Sequence, residues 1–148
     1  MDTPRRTALI VATALFMQNL DSSVIATALP TMAHSFDADP VRMSLALTAY
    51  MLGLSVFIPA SGWAADRFGA KRVFLVAIGV FTLSSLLCSA SATLPQLVAS
   101  RLLQGAGGAM MVPVGRLLLL RSTPKSDLVN AMAWLTMPGL LGPVRAAP

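Results

Sequence analysis

Long apolar stretches alternate along the chain with short polar ones. A bilayer core of about 30 Å needs about 20 helical residues at 1.5 Å each. Four stretches meet that length, at residues 7–29, 43–65, 73–92 and 96–120, and a fifth begins near Leu128 and runs to about 143. The pattern predicts an all-α, polytopic membrane helical bundle of four transmembrane helices plus a partial fifth.

The polar interruptions alternate in sign. Arg5 and Arg6 outweigh Asp2 at the N-terminus. The first connection carries His34, Asp37, Asp39 and Arg42 and is slightly acidic. In the second, Arg67, Lys71 and Arg72 outweigh Asp66. The third, from Ser89 to Pro95, has no charge, and in the fourth Arg116, Arg121 and Lys125 outweigh Asp127. Basic connections stay on the cytoplasmic side, so the predicted path starts with a cytoplasmic N-terminus and crosses outward first.

Composition agrees. Of 148 residues, 55% are hydrophobic and 11% charged, with a mean hydropathy of +0.72, whereas a soluble domain carries about 25% charged residues. The net charge of +5 does not indicate nucleic acid, because the bases sit between apolar spans rather than on one exposed face. Arg5 and Arg6 ahead of an apolar run imitate a secretory signal, but a cleaved signal leaves a soluble protein and three more spans follow. Cys88 stands alone in a span, where packing is its expected role, and His34 has no second ligand nearby, so no disulfide, metal site or cofactor is expected. No nucleophile–base pair or phosphate loop marks an enzyme. The partners implied are membrane lipid and small solutes.

Polar residues inside the spans carry the functional information. Asp21 lies in the first span, where a carboxylate costs about 2.5 to 3.5 kcal/mol on insertion scales. Gln18, Asn19, Ser22 and Ser23 surround it, so one sector of the helix is polar and must face the bundle or a wet cavity. Such a carboxylate binds and releases a proton as its surroundings change, or it serves in a fixed structural hydrogen bond. Arg101 is its counterpart in the fourth span, and Gln104 shares its face one turn on. Snorkelling to the interface is the alternative role for Arg101. Gly105 and Ala109 form a small-xxx-small pair that admits another helix closely, and Pro59 and Pro113 are kink sites within spans. The methionines are expected as packing filler.

The interruption Gly62-Trp63-Ala64-Ala65-Asp66-Arg67-Phe68-Gly69-Ala70-Lys71-Arg72 fits local electrostatics poorly. Asp66 closes one helix, against its dipole, and Lys71 and Arg72 open the next, again against it. Its charges therefore expect partners elsewhere in the structure.

These segments resemble a known family. Gly62 to Arg72 is similar to the connection between helices two and three of major facilitator superfamily transporters, with Ala64 and Ala70 at two positions where the usual pattern has Leu and a base. Leu20-Asp21-Ser22-Ser23-Val24-Ile25-Ala26-Thr27-Ala28-Leu29-Pro30 looks like the first-helix signature of the fourteen-helix drug:proton antiporters. Arg101-Leu102-Leu103-Gln104-Gly105-Ala106-Gly107-Gly108-Ala109 looks like the fourth-helix signature. Pro59 to Trp63 and Gly108 to Leu117 are similar to a multidrug-exporter branch. The resemblance covers residues 8 to 143. It implies the N-terminal part of a major facilitator fold in a bacterial inner membrane, exporting small amphiphiles against protons. It assigns proton coupling to Asp21 and Arg101, and gating to Gly62, Asp66, Arg67, Gly69, Lys71 and Arg72. Helix packing or the substrate path falls to Gln18, Gln104, Gly105, Gly108, Pro113, Gly142 and Pro143.

Gly139-Leu140-Leu141-Gly142-Pro143 begins the family's fifth-helix pattern, which Val144-Arg145-Ala146-Ala147-Pro148 then abandons. Such transporters have two six-helix halves around a central site. The expectation is a truncated or frameshifted chain, lacking its C-terminal half and inactive alone. The alternatives are a facilitator for another solute, or a self-sufficient small membrane protein acting as an oligomer.

Overall fold

The computed structural model describes residues 3–127 together with 129, 130 and 133. The predicted fifth span lies outside the described residues except at those last three positions, and Gly142 and Pro143 lie outside them altogether. Four helices, α1 (Thr3–Ser35), α2 (Pro40–Phe68), α3 (Ala70–Ser89) and α4 (Leu94–Ser122), make up the bundle, with no strand among the described residues. All four are long and apolar enough to cross a membrane.

The first four predicted spans are matched by the four helices in order, and two connections are shorter than expected. His34, assigned to the first loop, sits in the last turn of α1, which runs on through Pro30 to Ser35. Leu29, Met32, Ala33 and Phe36 explain the extension, because their spacing puts an apolar stripe on one face. That stripe packs with Met43, Ala46 and Leu97 in a small core at one end of the bundle. Asp39 then starts α2, its side chain accepting from the Val41 amide at 3.1 Å, with Pro40 at the first helical position. The second difference is the charged segment from Gly62 to Arg72, which is helical except at Gly69. There the backbone takes φ +89°, a conformation glycine adopts without steric cost, and the whole turn between α2 and α3 is made by that one residue. The third span ends at Ser89 rather than Ala92.

α4 is the central helix. Half of its most apolar window is buried, against 11% for α1. It runs antiparallel to α1, facing Val11 with Gly115, Gln18 with Gly108 and Asp21 with Gln104. It is also antiparallel to α3, with Phe81 against Gly107 and Phe74 against Gly115. Against α2 it runs parallel and crosses closest at Gly53 and Gly105. A Cβ on Gly53 would stand 2.5 Å from the Leu102 carbonyl oxygen, and one on Gly105 would overlap the Tyr50 carbonyl. Small residues let backbones approach so closely in membranes, where packing rather than water expulsion holds helices together. Large apolar side chains such as Val24, Leu52, Val76 and Leu86 point outward, more than half exposed, as lipid contact requires.

Candidate functional site

The helix seam delivers polar side chains from all four helices to one place. Gly105 brings α2 against α4, and with it Tyr50, which is buried. Arg101 is 1% exposed and Gln104 wholly buried, both on the inward face of α4. Asp21 reaches them from α1 and is 16% exposed at its side chain. One carboxylate oxygen accepts from Arg101 Nη1 at 2.8 Å and the other from Gln104 Nε2 at 3.0 Å. Arg101 Nη1 also donates to Gln104 Oε1, which closes a three-residue ring. Charge-assisted bonds of this kind are roughly twice as strong as neutral ones, and each partner removes part of the desolvation cost of the others.

Tyr50 and Cys88 complete the cluster. The Arg101 guanidinium lies over the Tyr50 ring, 4.9 Å from its centroid, which attracts the cation to the ring's negative face. Cys88 of α3 donates its thiol to Gln104 Oε1 at 3.7 Å. Gln18 Nε2 donates to Tyr50 Oη at 3.4 Å. Gly108 leaves the room for this, since a Cβ there would stand 3.1 Å from Gln18 Nε2. Two polar atoms of the cluster, Arg101 Nε and Gln18 Oε1, are buried with no partner among the described residues.

Asp21, Arg101, Gln104, Gly105, Gly108 and Gln18 are thus brought together as one site. Snorkelling does not describe Arg101, whose side chain turns into the bundle. The rest of the polar sector around Asp21 is different. Asn19, Ser22 and Ser23 are exposed and bond back to carbonyls of their own helix. Pro113 is partly buried and α4 continues through it unbroken. Sequence reading missed Tyr50 as a site residue and took Cys88 for packing. The signal for Tyr50 was present, since it is the only tyrosine of the chain and sits three residues from Gly53, on the same face.

The charged segment forms a second, separate locus. Asp66 closes α2 and meets Arg121 of α4 at 3.8 Å, with side chains 78% and 57% exposed. That supplies the tertiary partner its local environment lacked. Arg67 instead folds back over Trp63, 5.6 Å from the ring centroid, and Trp63 meets Phe68 edge to face at 6.0 Å. Lys71 lines a recess of about 170 Å³ with Thr7, Ile10 and Leu75. Arg72 is exposed in the first turn of α3, and Gly62 is exposed, with nothing within 4 Å of an added Cβ. No group of three or more metal-ligating side chains occurs among the described residues.

The model of the Major Facilitator Superfamily matches residues 11–148. The chain belongs to the major facilitator superfamily. It is 51% identical over 135 residues to multidrug resistance protein MdtD, as it is named, of Yersinia enterocolitica, covering 91% of this chain and 29% of that protein. The MdtD proteins of Serratia proteamaculans and Cronobacter sakazakii each match over 135 residues, at 51% and 50% identity. The chain therefore spans under a third of the length of these curated relatives. Its four helices are the N-terminal part of a major facilitator fold, and it is a multi-pass membrane protein.

Proposed function

We propose that this chain is the proton-handling part of a bacterial inner-membrane exporter that expels small amphiphilic drugs against protons. The N-terminus lies in the cytoplasm, as the positive connections require. One observation carries the reading: Asp21 accepts from Arg101 and Gln104 at once in the middle of an otherwise apolar bundle. An ionisable pair at that depth is costly and needs a functional return. Protonating Asp21 neutralises its half of the pair and frees Arg101, which changes how α1 is held against α4. Coupling between proton and substrate follows if the two arrangements of α1 and α4 differ in substrate affinity.

The multidrug names of the relatives support the substrate class. The full transport cycle belongs to a protein of the relatives' length, in which a second set of helices faces α1 across a central site.

The test joins this chain to the remaining helices of a relative and measures dye extrusion from cells lacking other efflux pumps. Asp21→Asn is expected to insert normally and to abolish extrusion that depends on the proton gradient. Extrusion at the unsubstituted rate in Asp21→Asn overturns the coupling role. Gradient-independent exchange of another solute by the unsubstituted protein favours a facilitator instead.

A further inference from the structure

Arg101 is held from two sides, and only one of them is an acid. Its guanidinium bonds Asp21 and Gln104 and rests on the ring of Tyr50. On that same tyrosine's hydroxyl sits Gln18, whose Oε1 is buried and unpartnered, just as Arg101 Nε is. A buried donor and a buried acceptor thus stand around one ring with neither bond made. Leaving such groups unsatisfied is costly, so an arrangement that joins them is favoured as soon as the competing one weakens. Gln18 and Asp21 lie three residues apart on α1, about 4.5 Å along the axis. That shift lies within the swing of an arginine side chain pivoting on a ring.

We propose that Gln18 and Tyr50 form a second seat for the Arg101 guanidinium, occupied when Asp21 is neutral. The inference rests on the proton-coupling reading above and names the residues that receive Arg101. In the arrangement seen, Asp21 is the acceptor and Gln18 waits. When the carboxylate gains a proton, the guanidinium turns on the Tyr50 ring and donates to Gln18 Oε1, while Gln104 keeps its bond to the thiol of Cys88. The cation stays buried and bonded in both arrangements, so charge neutralisation at Asp21 becomes a movement along α4 rather than the expulsion of an arginine. Gly108 is the structural requirement for the second seat, because a larger side chain there would displace Gln18. Tyr50 and Gln18 are positioning residues in this scheme; they act on the proton site through Arg101.

The chain carries its own reporter, since Cys88 is the only cysteine. The temperature at which Cys88 becomes reactive to a thiol dye marks unfolding of the purified full chain in detergent. Four forms are compared: unsubstituted, Gln18→Leu, Asp21→Asn as the neutral acid, and the double variant. Gln18→Leu alone is expected to move the transition by less than about 1 °C, because Asp21 then holds Arg101. In the Asp21→Asn background the same change is expected to lower it by about 3 to 5 °C. Gln18→Glu in that background, which restores an acceptor, is expected to raise it again. Equal shifts from Gln18→Leu in both backgrounds overturn the proposal, because a purely structural glutamine has no reason to know the charge of residue 21. A shift that Gln18→Glu fails to rescue overturns it as well. The dye-extrusion test separates the two ideas. Loss of extrusion in Asp21→Asn with no coupling to Gln18 removes the second seat and keeps the proton role; retained extrusion removes the proton role itself.

Discussion

Among the described residues two acid–base pairs join helices, and they differ in nearly everything except chemistry. Asp21 and Arg101 meet at 2.8 Å with side chains 16% and 1% exposed. Asp66 and Arg121 meet at 3.8 Å with side chains 78% and 57% exposed. The first pair is woven into bonds with Gln104 and a tyrosine ring. The second is a single contact at the helix ends. Exposed pairs are screened by solvent and contribute little to stability, whereas removing one partner of a buried pair strands a charge where water cannot reach it. The lesson is that position relative to the central helix, rather than the presence of opposite charges, decides which pair governs the fold and which is free to break.

Three substitutions sharpen that contrast, each measured as the temperature at which Cys88 becomes reactive. Arg101→Leu should have the largest effect. It leaves Asp21 without its cation and is expected to cost about 3 kcal/mol, a fall of roughly 8 °C. Gly105→Val should come next, at about 2 kcal/mol, because its side chain would push the Tyr50 backbone and the guanidinium's ring support away from α4. Asp66→Ala should move the transition by less than about 0.5 kcal/mol, since its pair with Arg121 is exposed on both sides. An effect of Asp66→Ala as large as that of Arg101→Leu would break the comparison, and would mean that burial is not what separates the two loci.

Much of this was legible from residue types alone. The cost of Asp21, Arg101 and Gln104 in a membrane span marks them before any contact is known, and Gly105 signals close packing by its spacing. Tyr50 left only a faint signal, as the one tyrosine of the chain a turn from Gly53, and Cys88 left none, because a cysteine in an apolar run looks like packing until another helix brings an amide to it. His34 misled in the other direction. Its polar neighbours resemble a loop, but the apolar stripe of Leu29, Met32, Ala33 and Phe36 outweighs them and keeps α1 helical to Ser35. The charged segment from Gly62 to Arg72 misled in the same way: a run of polar residues is not a loop when one glycine makes the whole turn.

The sequence by itself determined the first four membrane helices, their order and the residues too polar to be there by accident. Those follow from hydrophobic lengths and from the cost of charge in lipid, which are properties of each segment alone. Only the tertiary structure decided who partners whom. The antiparallel register of α1 on α4 sets Asp21 on Gln104 and Gln18 over Gly108, and the glycine crossing of α2 on α4 lays Tyr50 under Arg101. A register between helices depends on backbones approaching where glycines allow it, and that is a property of pairs of segments, not of either one.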